Sequence, residues 1–176
     1  MCAKQLSCCE NEKGFEMDFA KSLQDQFAPN LICFGCGPAN KEGLQIKSFV
    51  ETDDDGQTIV VCRFTPASHH RAYVGMINGG IIGALLDCHL NWTAAYHLMV
   101  KNEESVPPCC VTAKYGVEFK APTPSETELF IKAWVTDSSN RKAVVEGTIG
   151  TADEVTATGN GTFVAVKPGH PAHHRW

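Results

Sequence analysis

Asp87 lies in the run Ala84-Leu85-Leu86-Asp87-Cys88-His89-Leu90, with apolar residues on both sides. A carboxylate taken out of water costs free energy unless it has partners, sits at an opening or does chemical work. One reading is an acid on the polar edge of a helix, making a local hydrogen bond. The other is a general base or nucleophile. Upstream stand the paired glycines of Asn78-Gly79-Gly80. If a helix begins there, its first amides have no intrahelical acceptor. Together with the positive end of the helix dipole, Gly79 and Gly80 then offer N–H groups to an oxyanion. Glycine also lets a substrate carbonyl approach the backbone. Close packing alone is the plainer account of the same pair.

Gly79 and Asp87 would be ~12 Å apart on one helix at ~1.5 Å per residue, so they cannot both reach one carbonyl from the same chain. A reaction using both demands two copies, with Gly79 from one and Asp87 from the other. The remaining candidates are weaker. Cys33 and Cys36 in "CFGC" have metal-ligand spacing, but no second cysteine pair follows at a zinc-like separation. Cys8, Cys9 and the tail histidines would complete a site only through a coincidence of the fold. The motif therefore reads as a tight turn packed on the helix, with no metal and no cofactor. Cys88 has no evident paired base, and His89 and His97 read as structural.

The elements that must position these residues follow from hydrophobic period. Residues 79–100 are long, rich in Gly and Ala, and apolar at Ile81, Leu85 and Trp92, which predicts a helix. The small residues along it would let a sheet approach closely. Before it, alternation from Leu44 to Val50 and the run "TIVVCRF" predict a hairpin closed by "DDDGQ". "TPASHHRAYVG" reads as a loop. After it, "CCVTAKYGVEFKA", "TELFIKAWV", "RKAVVEGTI" and "VTATGNGTFVAV" read as four strands joined by short turns, hence antiparallel. The fold class is α+β: one long central helix wrapped by a curved antiparallel sheet of about five or six strands. Residues 1–30 form an N-terminal extension with partly helical spacing from Phe15 to Phe27. The main domain covers 31–167, and 168–176 is a flexible tail.

Three stretches resemble the hotdog-fold acyl-CoA thioesterases of the phenylacetate-pathway and hydroxybenzoyl-CoA type: "CFGCGPANKEGLQI", "GMINGGIIGALLD" and "KYGVEFKAPTP". The resemblance implies a homodimer, with a dimer of dimers as the larger alternative, and acyl-CoA bound at the interface. It implies that the amide of Gly79 polarises the thioester carbonyl. Asp87 of the partner then attacks or activates water, and Thr112 positions that carboxylate or water. The family usually has His before the paired glycines. Asn78 stands there instead and cannot titrate. Asn78 and Gly80 are thus expected at the substrate. His70 and Arg71, beside His69, line the entrance or meet the ligand's phosphates, and Arg141 and Lys142 hold CoA phosphates; solvated loops are the plainer reading of both pairs. Val74, Met76, Ile77, Trp92 and Tyr96 are candidates to shape the pocket.

Composition bounds the alternatives. The chain has 176 residues, 43% hydrophobic and 20% charged, long enough for one domain with a real core. A net charge of −5 gives no support for nucleic acid or a membrane surface as partner. No run reaches the ~18 apolar residues of a membrane span. The nine cysteines are odd in number, and the first residues lack an apolar signal segment, so reduced thiols in the cytoplasm are expected. Two rival functions remain: a hotdog protein that binds an acyl or aromatic ligand without turnover, and a hydratase or dehydratase. The latter normally requires a histidine paired with the acid, and none is clearly placed here.

Overall fold

The computed structural model describes residues 17–173. Its helix α1 (Leu23–Phe27) is a single turn, capped by Ser22, whose Oγ accepts from the Asp25 amide. Strands β1 (Phe49–Thr52) and β2 (Thr58–Phe64) form the expected hairpin. Its turn needs Gly56, at φ 81°, and Asp53 Oδ1, which accepts from the Asp55 and Gln57 amides. The short strands β3 (Arg71–Tyr73) and β4 (Met76–Ile77) precede helix α2 (Gly79–Lys101). Strands β5 (Cys110–Phe119), β6 (Leu129–Ser138), β7 (Lys142–Gly150) and β8 (Val155–Ala165) follow. The main sheet has six strands in the order β1-β2-β6-β7-β8-β5, every neighbouring pair antiparallel.

Helix α2 lies on one face of this sheet and carries much of the core: Leu85, Leu86, Leu90, Ala94, Ala95 and Leu98 are fully buried. The facing strands contribute alternate residues, Leu129, Ile131 and Ala133 on β6 and Ala143, Val145 and Ile149 on β7. Close approach of helix to sheet is provided by strand glycines. Gly147 and Gly159 are register partners on β7 and β8. A Cβ on Gly147 would stand 2.9 Å from Leu90 Cδ1, and one on Gly159 would stand 3.4 Å from Leu86 Cδ1. Gly83, inside the helix, does not serve this purpose: a Cβ there would meet nothing within 4 Å.

Three further expectations are corrected. The segment from Leu44 to Ser48 alternates in burial as a strand would, but belongs to no ladder. Its amides bond instead to the preceding loop, Leu44 N–H to the Phe34 carbonyl at 2.7 Å and Ile46 N–H to that of Gly35 at 3.1 Å. The expected N-terminal helix shrinks to five residues, and Phe15 lies outside the described residues. The loop before α2 contains a 3-10 turn at Ser68–His70 and the β3–β4 ribbon.

One polar group sits at the centre of the core. His89 is fully buried, with Nε2 3.0 Å from the Val60 carbonyl and Nδ1 2.9 Å from Ser48 Oγ. A carbonyl only accepts, so Nε2 carries the proton and Nδ1 accepts from Ser48. Gln24 Nε2 donates to Ser48 Oγ at 2.9 Å, while the Ser48 amide donates to Gln24 Oε1 at 2.8 Å. Burial pushes the His89 imidazole down to about 4, so it stays neutral. The network ties α1 and the start of β1 to the middle of α2. His89→Leu strands the Ser48 hydroxyl and the Val60 carbonyl, and is expected to cost roughly 1–3 kcal/mol. A lower urea midpoint at unchanged slope checks this.

Candidate functional site

Asp87 sits on the part of α2 that faces β5. Thr112 Oγ1, on β5, donates to Asp87 Oδ1 at 2.9 Å. The two residues are 25 apart in sequence, and only the packing of β5 beside α2 joins them. Burial raises the Asp87 carboxyl above the usual range; the Thr112 hydrogen bond opposes this, and the nearby Cys33 adds to it. Nearby, the Tyr115 hydroxyl donates to the Gly83 carbonyl at 2.9 Å. Asp87 borders a cavity of about 210 Å³, shared with Leu31, Cys33, Cys88, Asn91, Trp92 and Cys110.

The glycines lie where the helix-start reading requires. Gly79 is the first residue of α2, and Asn78 is its N-cap, with φ −69° and ψ 134°. Asn78 Oδ1 accepts from the Gly80 amide at 2.7 Å. The Gly80 N–H is therefore occupied, while the Gly79 N–H has no intrahelical acceptor. Phe119, on β5, lies over the same spot: a Cβ on Gly79 would be 3.3 Å from its ring. Gly79 and Asp87 share one helix, ~12 Å apart along its axis.

His70 and Arg71 are brought to this helix start, though mainly through local bonds. The His70 carbonyl accepts from the Asn78 amide at 2.8 Å, its Nδ1 accepts from the Ala67 amide, and its ring stacks on Phe64. Arg71 Nε donates to the Ser68 carbonyl, and its guanidinium lies 3.5 Å from Glu126. Arg141 and Lys142 are placed elsewhere, at the β6–β7 turn. Arg141 donates to the Ala165 carbonyl at 2.6 Å and lines a second cavity of about 440 Å³ with Val111, Lys167 and His170. Trp92 lines the Asp87 cavity, whereas Val74 is 93% exposed near the helix start.

The Cys33–Cys36 pair singled out by its spacing also meets a third thiol here. Cys88 reaches the Cys33–Cys36 turn, and the three Sγ atoms lie within 4.8 Å of one another. Hydrogen bonds from the Cys36 and Cys88 thiols hold Cys33 below the ordinary thiol range.

Comparison with known proteins agrees with the fold. Residues 74–158 match the family model of the thioesterase superfamily. The chain has the hotdog fold, and the part of it from 74 to 158 is similar to that superfamily. A thioesterase superfamily protein from Shewanella loihica is 26% identical, with a TM-score of 0.57 over 74% of this chain and 98% of that one. A Bacillus halodurans protein solved with CoA shares the fold at 24% identity, with a TM-score of 0.53 over 70% and 76% of the two chains. The E. coli PaaI protein from the phenylacetic acid degradation operon shares it at 16% identity, with a TM-score of 0.55 over 70% and 81%. No curated protein matches the sequence. Among the described residues, no helix of the hotdog domain is long and apolar enough to cross a membrane.

The Asn78 cap makes a prediction that needs no substrate. Asn78→Ala is expected to lose about 1 kcal/mol of stability and Asn78→Asp to retain most of it, because Asp caps as Asn does. Thermal unfolding of the two variants checks the difference.

Proposed function

We propose that this protein is an acyl-CoA thioesterase with its sites at a homodimer interface, Gly79 from one copy facing Asp87 from the other. The observation that carries the reading is the pairing of a half-buried carboxylate, held by one hydroxyl donor, with a free amide on the same helix. The superfamily match supports the reaction class, and the CoA in the Bacillus halodurans relative supports the substrate class. Two surface features favour the dimer. Strand β5 is an outer strand of ten residues, and a long unpaired edge invites pairing with another chain. Around the helix start, Tyr73 is 73%, Val74 93% and Phe119 55% exposed, an apolar surface that burial against a second copy would stabilise.

The chemistry follows from the groups. The thioester carbonyl oxygen accepts the Gly79 N–H. Thr112 occupies Asp87 Oδ1, so Oδ2 is free to take a proton from water as that water attacks the carbonyl carbon. Negative charge gathers on the carbonyl oxygen, where the amide stabilises it. The C–S bond then breaks, and the CoA thiolate takes up the proton, leaving a carboxylic acid and free thiol. Direct attack by Asp87 through an anhydride uses the same placement. Single turnover in labelled water separates the two routes, since only the anhydride puts label into Asp87. Asn78 serves here by holding the Gly80 amide, which leaves Gly79 as the donor. His70, Arg71, Arg141 and Lys142 remain candidates for the CoA phosphates.

Thiol release from short, long and aromatic acyl-CoAs tests the activity. Asp87→Asn is expected to lower kcat roughly 10²–10⁴-fold, the range for loss of a general base. Ligand binding without turnover by the native protein would instead make this a binding protein.

The shared site has its own test. Proline is tolerated at the first helical position and removes the N–H, and Asn78 is already extended as a residue before proline must be. Gly79→Pro is therefore expected to fold and to lose roughly 10²–10³ in kcat. Mixing its subunits with Asp87→Asn subunits regenerates one intact site per mixed dimer, so random mixing restores roughly a quarter of native activity. No recovery in exchanged dimers would place both groups in one chain's site and overturn the arrangement.

A further inference from the structure

Cys33, Cys36 and Cys88 line one wall of the Asp87 cavity. Their geometry is that of a set of ligands waiting for a centre. Thiolates ~2.3 Å from a tetrahedral ion stand about 3.8 Å apart. The Cys33 and Cys88 sulfurs are 3.7 Å apart, and all three lie within 4.8 Å of one another. A disulfide needs its sulfurs at ~2.05 Å, far closer than this pair.

The surroundings favour a thiolate at Cys33, while the neighbouring thiols and burial push Cys36 and Cys88 above the ordinary thiol range. Hydrogen bonds from the Cys36 and Gly35 amides are among the influences that lower Cys33. The turn that supplies those amides is closed by the Gly37 N–H bonding to the Cys33 carbonyl at 2.9 Å. Gly35 makes the approach of the helix possible, since a Cβ there would collide with Cys88 Sγ. No ordinary core packing needs three thiols converging on one point. An apolar side chain at Cys88 would fill the volume without these donors.

We propose that Cys33, Cys36 and Cys88 form a tris-thiolate site for Zn(II), with the fourth coordination position open to the Asp87 cavity. Thiolate ligands select soft ions such as zinc and copper(I). Zinc is favoured because the cavity leaves room for a fourth ligand, which a tetrahedral ion uses and a trigonal copper(I) does not. Binding releases the thiol protons and joins the 31–44 loop to α2 at the residue after Asp87. The site stands independently of whether Asp87 hydrolyses thioesters.

The test uses the whole protein, freed of metal by a chelator and kept reduced. Titration with Co(II) is expected to give one equivalent per chain. The spectrum should combine a thiolate charge-transfer band with the strong visible bands of a tetrahedral ion, and Zn(II) should displace both. Cys88→Ser is expected to weaken zinc binding at least tenfold. Cys62→Ala, a buried thiol on β2 outside the cluster, should leave it unchanged. Alkylation followed by mass spectrometry reads the native chain directly. One equivalent of Zn(II) is expected to protect Cys33, Cys36 and Cys88. Binding of copper(I) with no tetrahedral Co(II) spectrum would overturn the choice of ion and the open position. Absence of stoichiometric binding of either ion, or binding unaffected by Cys88→Ser, would overturn the site.

Discussion

The structure depends on how closely α2 can lie against its sheet. The opposed glycines Gly147 and Gly159 remove two side chains where Leu86 and Leu90 press down. Every other placement inherits this. With Leu86 and Leu90 turned to the sheet, the intervening residues are fixed in direction by the ~100° step of the helix. Asp87 is brought towards β5, Cys88 towards the 31–44 loop, and His89 into the core between β1 and β2. Three consecutive polar or polarisable residues thus meet three different partners: a hydroxyl, a pair of thiols, and a serine–carbonyl pair. A helix sitting further from the sheet would loosen all three together.

The two ends of the proposed reaction are set by different physics. Gly79 needs nothing but its position as the first helical residue, since any helix leaves its first amides unpaired. What selects Gly79 over Gly80 is Asn78, which takes the Gly80 amide for itself. Asp87 needs the tertiary fold, because its donor comes from a strand 25 residues away. Substituting Asn for a titratable residue at the cap keeps the capping bond at every pH. The amide arrangement at the helix start is therefore insensitive to protonation, and any pH dependence of the site must come from other groups.

Much of this was legible in the sequence, for identifiable reasons. The long helix and the four strands after it were readable because their periods are sustained and their turns short. Asp87 stood out because a charge inside an apolar run has few explanations, and Gly79 because paired glycines at a helix start have few as well. The Leu44–Ser48 segment was misread because alternating burial records only that a chain is extended over a core. It does not record whether the backbone bonds run to a strand or to a loop. The thiol cluster was hidden for another reason: Cys33 and Cys88 are 55 residues apart, and no local pattern marks Cys88 as a partner. The role of Arg71 was obscured by Glu126, an acid on a distant turn that no local pattern pairs with it.

The cysteine turn and the carboxylate are neighbours in energy as well as in sequence. Burial is the largest influence raising the Asp87 carboxyl, and Cys33 adds to it. Leu31 and Cys33 share the wall of the Asp87 cavity with Cys88, so the loop that delivers the thiols is also part of what keeps water from the carboxylate. Gly35 permits both effects, because without its bare Cα the loop would stand off the helix at Cys88. A loop held away from α2 would admit water to Asp87 and separate the sulfurs in one movement. The turn read from sequence as packing alone therefore contributes to the polarity of the site on which the proposed chemistry depends.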